Sequence, residues 1–313
     1  MTSHAPKTHP ATTLAVPFPY HRGVVFAVVT QSRGDALRLE EWITYHSRIG
    51  FEEFHIVLDG LSDNSDEVLA GIHVDARIVV HQRAESGEYM DGLDAATRHR
   101  RNTQWREKNQ ELLASLPFRA QDPLSLRQGL NITPVLEDLC ANRKGWVAFI
   151  DVDEFIHLPR DGSIRALTRR LNAEKRTSRI SFLNFNVDTT GHDPHRPVLE
   201  QHRFRWSREG LLAHPNKAWT RRFKTMARFS VATPYGGVHK ITRGRRTVVD
   251  PEDARLLHFR VPMQGVEGMD PELPYPVEDP ITMPPASDPT PTGPVRRFWL
   301  GRGALARLGA RTR

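Results

Sequence analysis

The chain has 313 residues and a formal net charge of +7, with 44 Lys and Arg against 37 Asp and Glu, 38% hydrophobic and 26% charged residues. That length suits one large α/β domain or two small ones, and the charge is mild rather than histone-like. A single cysteine, Cys140, excludes an intramolecular disulfide and a Cys-based zinc site, and no stretch reaches the ~18 apolar residues that span a bilayer, so a cytoplasmic protein is expected.

Residues 1–23 are rich in Thr, Pro and His without periodicity and read as a flexible leader. The β-branched run Val24 to Thr30 is a buried strand entering a turn. From Asp35 the positions Ala36, Leu39, Ile43 and His46 recur at helical spacing, with Asp35 as the cap and Gly50 as the stop. Phe54 to Asp59 is the next strand, followed by a helix near Ser62 to Leu69 and a third strand over Ala76 to Gln82. Strand, helix and strand joined by short loops make βαβ units, hence an α/β fold with a largely parallel sheet and ligands at the carboxyl ends of its strands.

Asp91 to Leu116 and Pro123 to Asn142 read as helices, and Gly145 to Pro159 holds the clearest strand. In ISFLNFNVD, Leu183, Phe185 and Val187 alternate with Asn184, Asn186 and Asp188, which predicts one core face and one wet face. Ala254 to Arg260 is the last strand expected. Ten prolines among residues 262–294 predict an extended linker over 261–295. The tail 296–313 sets Phe298, Trp299 and Leu300 among six arginines, a composition suited to peripheral contact with an anionic membrane, although its glycines disfavour a helix. No nucleic-acid module is recognisable.

Asp151 and Asp153 follow the apolar strand WVAFI. In an extended chain residues i and i+2 project to one side, so the two carboxylates converge while Val152 enters the core. Their repulsion is relieved by a hard divalent cation held by one or two carboxylates together with diphosphate oxygens. Asp59 ends its own apolar strand in the same way.

These segments, with Glu41-Trp42 before Tyr45-His46, Asp151-Val152-Asp153-Glu154-Phe155, FKTMARF, GGVHKI and LLHFR, resemble the glycosyltransferase family 2-like group akin to glycosyltransferase family 92, over roughly residues 24–260. The resemblance implies a GT-A-like Rossmann-type fold with a mixed, mostly parallel sheet flanked by helices. It further implies a nucleotide-sugar donor, a glycan or other hydroxyl acceptor, and Mn²⁺ or Mg²⁺. Carried over by residue, it puts Asp151 and Asp153 on the donor and metal, Asp59 near the nucleotide, His258 on the metal, His239 on phosphate or acceptor, and Lys224 on the departing diphosphate. His46 reads as a packed, hydrogen-bonded histidine.

An inverting transfer also needs a carboxylate to take the acceptor's proton. Asp188, Asp193 and Glu200 are the candidates, with Asp188 preferred. The first loop, Gln31 to Asp35, departs from the Asn-Glu of the group, and Asp35 is the available acid. Two rivals remain at this stage: a metal-dependent nucleotidyltransferase, and a glycan- or membrane-binding relative without activity.

Overall fold

The apolar run after Gly23 forms β1 (Val25–Ser32), buried along nearly its whole length. It is followed by α1 (Ala36–Arg48), β2 (Glu53–Asp59), α2 (Ser65–Gly71), β3 (Arg77–Arg83), α3 (Ala95–Lys108), α4 (Gln110–Ser115), α5 (Pro123–Cys140) and β4 (Gly145–Phe149). The second half contributes β5 (Glu154–His157), α6 (Ile164–Lys175), β6 (Arg179–Asn186), α7 (Val198–Gln201), β7 (Phe204–Trp206), α8 (Arg208–Ala213), β8 (Phe223–Arg228), α9 (Phe229–Ala232), β9 (Arg246–Val248), β10 (Arg255–His258) and β11 (Pro276–Glu278). This is a computed structural model, and it describes residues 23–85, 89, 90, 92–213, 222–237, 241, 243–261 and 276–285.

Eight strands line up in the order β3-β2-β1-β4-β8-β6-β10-β5, with β9 on the flank of β6. The pairs β1 with β2, β2 with β3, β1 with β4, β6 with β10 and β6 with β9 are parallel. β8 runs antiparallel to both β4 and β6, and β5 runs antiparallel to β10. The fold is therefore α/β with a mixed, mostly parallel sheet flanked by helices, as the resemblance implied.

Alternation along β1 divides the core. Phe26 and Val28 join Leu39, Trp42 and Ile43 of α1 and Leu167 of α6 on one face. Val25, Ala27 and Val29 join Ile132, Val135 and Leu136 of α5 on the other. With helices on both faces, β1, β2 and β4 are buried along nearly their whole length, which is why they read as continuous apolar runs.

The same covering corrects the expectation for β6, whose Asn side was read as wet. Asn184 and Asn186 are buried, at 8% and 6% exposure. The strand β8, in the middle of the sheet, was not anticipated from sequence, because its Lys and Arg mask a short apolar alternation. At the start of α1, Asp35 makes no side-chain cap bond. Asp63 replaces it, accepting from the Ala36 amide at 2.9 Å. Gly50 does end the helix, at φ +102°, where a β-carbon would be strained.

Within the proline-rich stretch, β11 pairs with β7. Asp279 is buried and bonded to Arg205 and Arg255, at 2.6 Å from the Nε of each. Ile281 is 4% exposed. Prolines tolerate this position because a two-stranded edge leaves one side of each strand without ladder bonds. Among the described residues, no helix is long and apolar enough to cross a membrane. The leader and the basic tail lie outside the described residues.

Candidate active site

The site begins with how α1 pins the edge of the sheet. Trp42 Nε1 donates to the Glu154 carbonyl at 2.8 Å, and Tyr45 Oη donates to the Ile156 carbonyl at 3.0 Å. The Ile156 amide donates to His46 Nε2 at 3.3 Å, and His46 Nδ1 donates to the Trp42 carbonyl at 2.8 Å. His46 is thus held neutral in one tautomer, and burial drives its pKa down to about 3. Glu41 accepts from the amides of Val198 and Leu199, at 2.9 and 3.0 Å. The Glu-Trp and Tyr-His pairs are scaffold: they hold β5 and α7 in place around the turn that precedes β5.

That turn is Asp151-Val152-Asp153. The Glu154 amide donates to the Asp151 carbonyl at 3.1 Å, so the segment bends between β4 and β5 and does not continue as an extended strand. The argument from i, i+2 alternation therefore fails here, although Val152 is buried as expected, at 3%. Each carboxylate instead meets its own cation. Asp151 Oδ2 accepts from Lys224 Nζ at 2.5 Å, and Asp153 Oδ2 lies 3.1 Å from His258 Nε2.

Glu154 sits beneath both. It is 1% exposed, 2.9 Å from Lys224 Nζ through Oε2, and it accepts from the Asp151 amide at 2.9 Å and from Asn184 Nδ2 at 3.3 Å. Burial raises its pKa to about 7. For Asp153, burial works upward, but the His258 imidazolium prevails and holds the pKa at about 2. Burial works against the charge on His258 and Lys224, and the neighbouring carboxylates outweigh it in both, so both pKa values are raised.

Lys224 is 1% exposed. It was expected to face the departing diphosphate; it lies instead behind Asp151 and Glu154 and orients them. His258 has Nε2 on Asp153 and Nδ1 3.4 Å from Asn184 Nδ2. The Nε2 contact sets His258 as the support of Asp153, and Nδ1 bonds Asn184 Nδ2 only in the neutral imidazole. His239 lies outside the described residues.

Asp59 ends β2 at 1% exposure. Its carboxylate accepts from Gln31 Nε2 at 3.1 Å and Arg127 Nε at 2.8 Å. The Arg127 guanidinium lies 4.0 Å over the Tyr89 ring, and Arg33 lies 3.9 Å over the same ring. Asp35 accepts from Ser32 Oγ at 2.9 Å; burial, with a smaller contribution from Asp153, raises its pKa to about 6. Asp188, just past β6, is half-buried and is fixed by its amide on the Phe204 carbonyl at 2.8 Å, with Oδ1 accepting from the Thr190 amide at 3.0 Å. Asp193 and Glu200 are exposed.

The structure thus gathers Asp151, Asp153, Lys224 and His258 in one cluster and places Asp59 with Arg127 at the end of the neighbouring strands. Sequence reasoning gave no role to Glu154, Arg127 or Asn184. Glu154 stood next to the acidic pair, which was a signal; Arg127 and Asn184 looked like ordinary helix and strand residues.

Among the described residues, no three His, Cys, Asp or Glu side chains form a ready cage for a metal ion. What the turn offers is a pair of carboxylates, with side chains 40% and 22% exposed for Asp151 and Asp153. A Mg²⁺-like ion is commonly held by one or two carboxylates completed by substrate phosphates, so this donor set fits a shared site and not a dedicated cage. Two buried polar atoms, Asn184 Oδ1 and Tyr235 Oη, find no hydrogen-bond partner among the described residues; Tyr235 is close enough to feel the Asp151 charge.

Residues 139–289, which include this turn, β8 and β10, match the model described as Glycosyltransferase family 92. Over that stretch the chain is similar to glycosyltransferase family 92. It is similar to a glycosyltransferase family 92 protein of Oryza sativa subsp. japonica, 26% identical over 153 residues, 49% of this chain and 20% of that one. The chain thus spans about a fifth of the length of the curated relative it matches. Among solved structures it is similar to a core-mannan synthase from Aspergillus fumigatus in a Mn/GDP form, at 9% identity and TM-score 0.32, over 73% of this chain and 67% of that one. A superposition that loose fixes no residue correspondence. The family 92 match ends at residue 289, beyond β11, so it takes in the strand that folds back onto β7.

Proposed function

We propose that this family 92-like chain is a glycosyltransferase that moves a sugar from a nucleotide-sugar donor to a glycan or other hydroxyl acceptor. The observation that carries the reading is the acidic turn at the carboxyl edge of the sheet, where Asp151 and Asp153 stand partly exposed on a rigid base of Lys224, Glu154 and His258. The two carboxylates are suited to hold a cation against phosphate.

In this reading Asp151 and Asp153 hold Mn²⁺ or Mg²⁺ with the donor diphosphate, and the ion when bound neutralises charge on the leaving nucleoside diphosphate. Lys224 positions Asp151, and His258 positions Asp153; both are positioning residues. At the other end of the cleft, Asp59 holds Gln31 and Arg127 in place beside Tyr89, where an aromatic and guanidinium stack suits a nucleoside. Asp188 is the base for an inverting transfer: Oδ1 is tied to Thr190, and the carboxylate takes the acceptor's hydroxyl proton.

Product analysis tests this directly. Incubation with UDP- and GDP-sugars, Mn²⁺ and a panel of glycan acceptors is expected to release free nucleoside diphosphate and a glycosylated acceptor. Release of pyrophosphate would assign a nucleotidyltransferase instead. Absence of both products, with glycan binding retained, would assign a non-catalytic relative.

A further inference from the structure

A cavity of about 480 Å³ opens at the opposite end of the same strands, lined by Val24 and Phe26 of the β1 end, Gly145 and Trp146 of β4, and residues of α6 and β8. Asp151 lies five residues along the chain from Trp146, or ~17 Å at the rise of an extended chain, so this cavity is separate from the acidic turn. Its volume is in the range of small-molecule sites.

The cavity is cationic. Arg143, Lys144, Arg165, Arg169 and Arg228 all line it. Two of these are neutralised, Arg143 by Glu53 at 2.6 Å and Arg165 by Glu52 at 2.9 Å. Arg228 bonds only neutral groups, the Thr177 carbonyl at 3.2 Å and Asn172 Oδ1 at 2.5 Å. Lys144 and Arg169 are exposed and have no carboxylate partner among the described residues. Three positive charges are therefore left over.

The floor is aromatic. Arg228 lies 5.1 Å over the Trp146 ring, Arg165 4.8 Å over Phe26 and Arg143 5.9 Å over Phe229. Their N–H groups are already engaged, those of Arg143 and Arg165 by carboxylates and those of Arg228 by neutral acceptors, so the charge without a carboxylate partner among the described residues sits on Lys144, Arg169 and Arg228.

We infer that this cavity is a binding site for a phosphate ester, distinct from the donor site. Three cations without a carboxylate partner among the described residues exceed what one carboxylate neutralises and suit a phosphomonoester dianion better. Phe26, Trp146 and Phe229 are buried beneath the guanidinium groups, so the phosphate group carries the recognition. The inference stands on the cavity alone and holds whether or not the acidic turn transfers sugar.

The ester is either a soluble metabolite or a lipid headgroup, and two probes separate these. Calorimetric titration of the full chain with glucose 1-phosphate, and flotation with phosphatidylcholine vesicles carrying phosphatidic acid, are run without phosphate buffer. Saturable binding is expected in one arm, which then names the source. The double substitution Lys144→Ala with Arg169→Ala, both on exposed side chains, is expected to weaken it about tenfold or more. Arg169→Gln alone is expected to give a smaller loss in the same direction. Asp151→Asn with Asp153→Asn is expected to leave it unchanged. Failure of both probes to bind the unaltered chain, equal binding by the double variant, or a loss that follows the aspartates instead would each overturn the inference.

Discussion

The two ends of the sheet are built from the same strands and carry opposite charge for different structural reasons. At the carboxyl end, Asp151, Asp153 and Glu154 crowd into one turn, and the cations that balance them, Lys224 and His258, come from the neighbouring strands β8 and β10. At the amino end, cations from the loop before β4, from α6 and from β8 gather over buried aromatic rings, and the acids that answer them account for only some. The acidic end rests on the buried and mutually bonded Lys224 and Glu154, so it is rigid. The basic end is half-open, and its charges rest on aromatic surface. A single antiparallel strand, β8, links them: Lys224 near its start serves the acidic turn and Arg228 at its end serves the cavity.

The largest expected effect breaks the acidic end chemically. Asp151→Asn with Asp153→Asn is expected to lower sugar transfer by about a thousandfold or more, on the scale of losing a central charge-stabilising group, and to lower the melting temperature as well, because Lys224 and His258 each lose a carboxylate partner. Steady-state rates and a thermal melt check the two halves. Unreduced transfer would break the contrast at its acidic side.

The next effect breaks it structurally. Lys224→Met leaves Asp151 and a fully buried Glu154 without their cation, and removal of one member of a buried pair costs about 3–5 kcal/mol. Denaturant unfolding is expected to show that loss, and Lys224→Met combined with Glu154→Gln is expected to recover part of it. If Lys224→Met melts like the unaltered chain, the rigid base does not exist.

Acid sensitivity sharpens the comparison further. His46 and His81 are buried and held neutral, with pKa values lowered to about 3 by burial. Their folded-state pKa lies below the unfolded value of about 6.5, so the unfolded chain binds more protons. The stability tied to these groups is fully present above pH 6.5 and is lost progressively as pH falls from about 6.5 towards 3. Unfolding followed across that range checks this, and it should show that His46→Gln reduces the slope.

The smallest effect belongs to the amino end. Lys144→Ala with Arg169→Ala changes only exposed, unpaired side chains, so the stability of the chain is expected to stay within about 0.5 kcal/mol in the absence of ligand. A larger loss would mean that these cations hold the fold together, as their acidic-end counterparts do.

Much of the first half was legible in the sequence because its strands are continuous apolar runs spaced by helical periods: β1, α1, β2, β3 and α5 fall close to where Val24–Thr30, Ala36–His46, Phe54–Asp59, Ala76–Gln82 and Pro123–Asn142 predicted them. The second half was less so. β8 is short and carries Lys and Arg, whose burial depends on partners far along the chain. The pairing of Lys224 with Asp151 spans 73 residues and that of His258 with Asp153 spans 105; no local pattern encodes such contacts. The acidic pair itself was found by residue type, but its geometry was misread, because a hydrogen-bonded turn and a strand end look alike when Val152 is buried in both. Packing of Asp279 and Ile281 was hidden by the prolines around them.

The most direct measurement is Mn²⁺ binding followed by electron paramagnetic resonance, with and without GDP and UDP, on the unaltered chain and on Asp151→Asn with Asp153→Asn. One nucleotide is expected to tighten Mn²⁺ binding at least tenfold in the unaltered chain, and that enhancement is expected to vanish in the double variant. Nucleotide-enhanced binding that survives loss of both aspartates, or no enhancement by either nucleotide in the unaltered chain, would contradict a shared cation and diphosphate site at the acidic turn.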